Sequence, residues 1–196
     1  MTTTEVTVEP GGSVLRGVAV PYGEQTLVSG PTPRGRMVHL EVFDAQSIRD
    51  TGALYGRPLL IGHDQNRPIG RIRTSRSTGR GLEVEADLIG GDDEVEGLRR
   101  RLGAGVQKAL SIGFFPSQSD DVWQRDGTTG PPVVTRRGVT IREVSIVVWP
   151  AYDGAIVTGV HAKTREGERR HAESVVAIAT AKTAMAEADA YLTRRR

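Results

Sequence analysis

The sequence predicts a mostly β fold with helices, an α+β domain built on a closed or nearly closed barrel of about seven strands and followed by a helical tail. Three observations predict it. Between Val14 and Val160, short stretches of β-branched and apolar residues recur between turn signals. The 24 glycines and 10 prolines among 196 residues supply those turns and argue against an all-helical bundle. After Val160 the chain becomes rich in alanine and charge and free of proline, as a helix would be.

Residues 1–13 read as a flexible N-terminus, 14–160 as the folded domain and 161–196 as a basic helical tail that could be removed. Strands are expected over 14–20, 37–43, 58–62, 68–73, 81–88, 106–115 and 139–149. A short helix is expected over 45–51. A longer one opens at Asp92 or Asp93, whose carboxylates can cap free N–H groups, places Val95, Leu98 and Leu102 on one face, and ends at Gly103 and Gly105. Residues 116–137, with SQSDD, RDGTTG and a Pro pair, read as a loop around a lone Val-Trp pair. In the tail Val175, Ile178, Met185 and Leu192 make an apolar stripe too thin to fold alone, so it needs a partner or stays solvated.

Composition removes several classes of function. With no cysteine there is no disulfide framework, thiolate metal site or cysteine nucleophile. No apolar run reaches the length of a membrane helix, and the first residues lack the basic and apolar regions of a secretory signal, so the expected location is the cytoplasm. The net charge of +2 comes from the tail, where eight lysines and arginines face five acids after Ala162; the rest is within one charge of neutrality. No nucleic-acid-binding module accompanies that charge, and no cofactor motif is present.

Three segments carry candidate chemistry. In RPLLIGHDQNRPIGRI an apolar strand ends at Gly62 and His63; a strand running through His63 would put Leu59, Ile61 and His63 on one side, with an imidazole at the strand end. In VQKALSIGFFPS the apolar Leu110, Ile112 and Phe114 alternate with Ser111 and Gly113, so small residues share a face that another chain can approach closely. No GxSxG elbow surrounds Ser111, which excludes the α/β-hydrolase arrangement. In GVTIREVSIVVWPAYDGAIV, Glu143 lies in a strand apolar on both faces and needs a partner, either Arg142 or Arg137 as plain structure or an imidazole as chemistry. A metal site from His63, Asp64 and His39 is the other arrangement these types allow, but no HExxH spacing or shared helical face supports it.

Taken in order along the chain, EVFDAQSI, LLIGHDQNRPIGRI, GLEVEADL, LSIGFF and IREVSIVVWPAYDGA resemble the prohead proteases of tailed bacteriophages, a family similar in fold to the herpesvirus maturation protease, assemblin. The resemblance runs from about Leu15 to Val160. It implies a serine endopeptidase without a cofactor or metal, with Ser111 as nucleophile, His63 as base and Glu143 as the third member, Asp64 competing for that last role. It also implies an oxyanion loop in which Arg136 and Arg137 stand. The implied substrates are the phage major capsid protein, its scaffold segment and the protease itself, processed inside an assembling procapsid in the host cytoplasm, and a homodimer is a further implication. The alternative is a non-enzymatic capsid assembly or scaffolding protein on the same fold.

Overall fold

The computed structural model describes residues 6–32, 35–48, 51–117, 119–125 and 130–193. It divides into two units, residues 1–162 and 163–196. The first contains β1 (Thr7–Val8), β2 (Val14–Pro21), β3 (Gln25–Thr32), β4 (Gly35–Val42), a 3-10 turn (Thr51–Leu54), β5 (Pro58–Ile61), β6 (Asp64–Ser77) and β7 (Gly81–Leu88). It continues through α1 (Asp93–Gly103), β8 (Ala109–Phe115), β9 (Val122–Gln124), β10 (Val133–Thr135), β11 (Thr140–Val147) and β12 (Val157–His161).

Eight strands form the main sheet in the order β1-β12-β2-β7-β6-β5-β11-β8. Its ends nearly meet. Ile156 bridges to Ala109 while its carbonyl accepts from Val18 N–H at 2.9 Å, and Leu110 N–H donates to Ala155 O at 2.8 Å. This partial closure wraps the strands around one core. Leu15, Leu59, Ile69, Ile72, Leu82, Leu110 and Ile146 fill that core, each at most 0% exposed. Helix α1 packs Val95, Leu98 and Leu102 against it as their spacing predicts, and Asp92 caps it by accepting from Glu94 N–H at 2.8 Å and Val95 N–H at 3.1 Å. Such a cap stabilises a helix by about 1 kcal/mol.

Several expectations change. The predicted flexible N-terminus contains β1, because Thr7 and Val8 pair in parallel with Gly159 and Val160 at the sheet edge. The expected helix over 45–51 is instead a turn around Asp44 and Ser47, followed by the 3-10 turn; residues 49–50 lie outside the described residues. Asp44 Oδ1 accepts from Gln46 N–H and Ser47 Oγ accepts from Asp44 N–H, both at 2.8 Å, side-chain bonds that compete with helix formation. The presumed loop of 116–137 contributes β9 and β10 to a second sheet, ordered β3-β4-β10-β9, in which β10 pairs in parallel with β4. Strand β3 went unseen because QTLVSGPT lacks strong apolar alternation.

The second unit holds α2 (Arg165–Thr193). Within it Val176 and Met185 are exposed, and the side chain of Leu192 lies outside the described residues. No described helix is long and apolar enough to cross a membrane.

Candidate active site

The site is assembled on the face of the main sheet that points away from the core. Along β8, Leu110 is buried inside with Ile112 and Phe114 packed against the core, which leaves Ser111 and Gly113 on the opposite face. Along β11, Val144 and Ile146 point inward, and Glu143 and Ser145 point out. The antiparallel register sets Ser145 opposite Ser111 and Glu143 opposite Gly113. Strand β5 lies on the other side of β11, in parallel, with Leu60 beside Ser145.

His63 is not on a strand. Ile61 pairs with Asp64, so Gly62 and His63 are the two central residues of a hairpin turn, with φ of 64° and 62°. Two positive φ values in a two-residue loop are the mark of a type I′ turn, which matches the twist of the strands it joins. The expected row of Leu59, Ile61 and His63 therefore ends at Ile61, and the turn carries the imidazole over to the outer face. His63 is the only non-glycine with positive φ among the described residues. A side chain held in that region costs about 1–3 kcal/mol, which the surroundings must offset. Gly62 N–H donates to Ile146 O and His63 N–H donates to Ser145 Oγ, both at 3.0 Å, fixing the turn to β11.

The three side chains meet in succession. Glu143 Oε1 lies 2.7 Å from His63 Nδ1, and His63 Nε2 lies 3.0 Å from Ser111 Oγ. An ionised carboxylate only accepts, so Nδ1 carries the proton and Nε2 presents its lone pair to the serine hydroxyl. The hydrogen bond that His63 Nδ1–H donates to Glu143 raises the His63 pKa above its ordinary value, a rise that partial burial of the ring opposes and the carboxylate's charge assists. Glu143 is 12% exposed, and its second oxygen, Oε2, accepts from Ser145 Oγ at 2.7 Å. The carboxylate reaches the ring by lying over Gly113, where a Cβ would come 2.3 Å from Oε1.

The other candidates stand elsewhere. Asp64 Oδ1 accepts from the backbone N–H of Asn66 at 2.9 Å and caps its own turn. Arg136 is 3% exposed, donates to Glu41 and Asp121 at 2.6 Å each, and lies 5.8 Å from the Phe114 ring centre. Arg137 pairs with Asp44 at 2.6 Å. Both guanidiniums are engaged with carboxylates at the junction of the second sheet with the barrel. His39, fully buried, accepts from Arg136 Nη2 at 3.2 Å and faces Met37 O through Nδ1, so it belongs to that same junction. No group of three His, Cys, Asp or Glu residues that could hold a metal occurs among the described residues. Ser145 is the site residue that the sequence motifs do not single out, and Gly113, read from the sequence as a small residue on the face of Ser111, also makes room for Glu143. The available signal for Ser145 was its spacing, two residues from Glu143 on the same face.

Strand β8, which carries Ser111, also ends the sheet. Leu110 N–H reaches off β8 on the side away from β11, so the peptide groups of Ile112 and Phe114, two and four residues on, face that same side. An extended chain laid there would run beside Ser111.

A family model described as Caudovirus prohead serine protease matches residues 5–170. No curated protein sequence matches the chain. Among solved structures, the KSHV protease in complex with a hexapeptide phosphonate inhibitor is similar with a TM-score of 0.45 and 11% identity, over 85% of this chain and 77% of that one.

Proposed function

Because the chain belongs to the caudovirus prohead serine protease family and is a serine peptidase, we propose that Ser111, His63 and Glu143 are its catalytic triad and that it matures a phage procapsid. The observation that carries the assignment is the unbroken chain of hydrogen bonds from Glu143 through both ring nitrogens of His63 to Ser111 Oγ.

The mechanism follows from those contacts. A serine hydroxyl is a weak nucleophile at neutral pH, so His63 Nε2 takes its proton as Oγ attacks the scissile carbonyl. Glu143 holds the ring in the Nδ1–H tautomer and stabilises the imidazolium that forms. When the tetrahedral intermediate collapses, the imidazolium returns that proton to the leaving amine, and water then releases the acyl group from Ser111 by the same route reversed. Backbone N–H groups near Ser111 are the donors for the oxyanion.

The substrates in this reading are the capsid protein with its scaffold segment and the protease itself, cut inside the assembling shell in the host cytoplasm. The segment from Lys163 onward pairs with scaffold through α2 and is removed during maturation. Co-expression with the capsid protein tests the assignment. Ser111→Ala abolishes processing of both proteins, and a fluorophosphonate labels the parent at Ser111 alone, located by mass spectrometry of the peptide. Processing that persists in Ser111→Ala sinks the triad, and a tail still attached to the enzyme in expanded shells sinks the proposal for α2.

A further inference from the structure

Ser145 is buried beside the three side chains and its hydroxyl is held on both sides. It is 0% exposed, stands directly across from Ser111, and touches both other triad members. Its oxygen accepts from His63 N–H at 3.0 Å and its hydrogen goes to Glu143 Oε2 at 2.7 Å. The direction of these bonds is fixed by chemistry: a backbone N–H only donates and an ionised carboxylate only accepts, so the one hydroxyl proton has one place to go.

The result is a closed ring of hydrogen bonds. From the His63 backbone it passes through Ser145 Oγ to Oε2 of Glu143, across the carboxylate to Oε1, and back to His63 through Nδ1. Each end of the carboxylate is thus tied to the same histidine, one end to its ring and the other to its main chain. A carboxylate held at one oxygen can swing about its last torsion, whereas one held at both presents a single lone-pair direction to Nδ1. The same hydroxyl anchors the backbone of the one side chain here that adopts positive φ, in a two-residue turn with nothing else from β11 bonded to His63's own amide.

Taking the triad assignment above as its basis, we infer that Ser145 is a positioning residue of the active site, which sets the orientation of Glu143 and the turn of His63 together. Alanine cannot replace it, although it would fit the space, because both the His63 N–H and Glu143 Oε2, each partly buried, would lose this partner. Threonine keeps the hydroxyl; valine has threonine's shape without it.

The test is the rate at which a fluorophosphonate labels Ser111, measured on the full chain with thermal melting as a check on folding. Ser145→Ala slows labelling about 10- to 100-fold, the factor that loss of one hydrogen bond to a charged group corresponds to. Ser145→Thr recovers most of the rate and Ser145→Val does not, a comparison that holds even where Ser145→Ala melts early. In a Glu143→Ala background the serine substitution changes the rate by only a few fold, because its main route to the base has gone. Labelling of Ser145→Ala at the parental rate overturns the inference. So does equal labelling of the threonine and valine variants, or the same slowing with and without Glu143. A Ser111→Ala protein that still processes substrate would instead overturn the triad itself and leave a different signature, since its fate does not depend on residue 145.

Discussion

Gly113 and Glu143 face each other across β8 and β11, and the carboxylate occupies the volume that a side chain at 113 would fill. The absence of a Cβ is thus what lets Glu143 cross its neighbour to reach His63. Gly113→Ala puts a methyl 2.3 Å from Oε1, where the carboxylate must retreat. A displacement of about 1 Å in a catalytic group lowers turnover by about 10²-fold. Peptidase assays on a variant whose melting matches the parent check this. A full-rate alanine variant would show that Glu143 need not lie over residue 113.

The raised pKa of His63 sets the direction of the pH response. The base must be neutral to accept the proton, so activity climbs with pH along an acid limb whose midpoint lies above the ordinary histidine value of about 6.5. Glu143→Gln removes the charge and replaces one accepting oxygen with a donating NH2, which lowers that midpoint and cuts the rate by about 10²–10⁴. The stability effect runs the other way: protonated His63 stabilises the fold fully below its unfolded pKa, and that contribution fades as pH rises through the folded one. A pH–rate profile beside a pH–melting profile shows both trends.

Arg136 is the cation between two buried carboxylates, with Asp121 and Glu41 side chains 1% and 7% exposed. Arg136→Met strands both, which costs about 3–5 kcal/mol and is read as a lowered denaturant midpoint. A loss of about 10²–10³ in rate with unchanged stability would instead return this residue to oxyanion binding.

Gly17 lies where the barrel closes. A Cβ there meets Ile156 O at 2.5 Å and Leu110 Cδ1 at 2.6 Å. Gly17→Ala destabilises the domain by about 1–3 kcal/mol as an overpacked contact, measurable by chemical unfolding.

Local pattern revealed the strands with clear alternation and α1 with its cap, since these depend on neighbours in sequence. It could not reveal β9 and β10, three residues each, because β10 pairs with β4 some ninety positions away and β9 joins the sheet only through β10. In the site, Ser111 was visible as a small residue opposite an apolar row, and Glu143 as a carboxylate in need of a partner. Which partner it takes was not legible, because Arg142, Arg137 and an imidazole satisfy the same requirement equally well on paper. The expected strand of 58–62 left open whether it ran on through His63, and the register of Ile61 with Asp64 makes His63 part of a turn. Ser145 was hidden by its ordinariness: a serine in a buried strand has meaning only once its two partners are in place.

The parallel pairing of β5 with β11 brings residues some eighty positions apart into one cluster, and His63 gains Glu143 and Ser145 only through it. During synthesis, His63 and Ser111 precede Glu143 and Ser145 along the chain. A nascent chain that ends before β11 carries Ser111 and His63 but has neither the carboxylate that turns the ring nor the hydroxyl that anchors its turn. On the proposed triad, the reacting groups are therefore complete only once β11 has paired with β5, so assembly of the site and closure of the fold are one event.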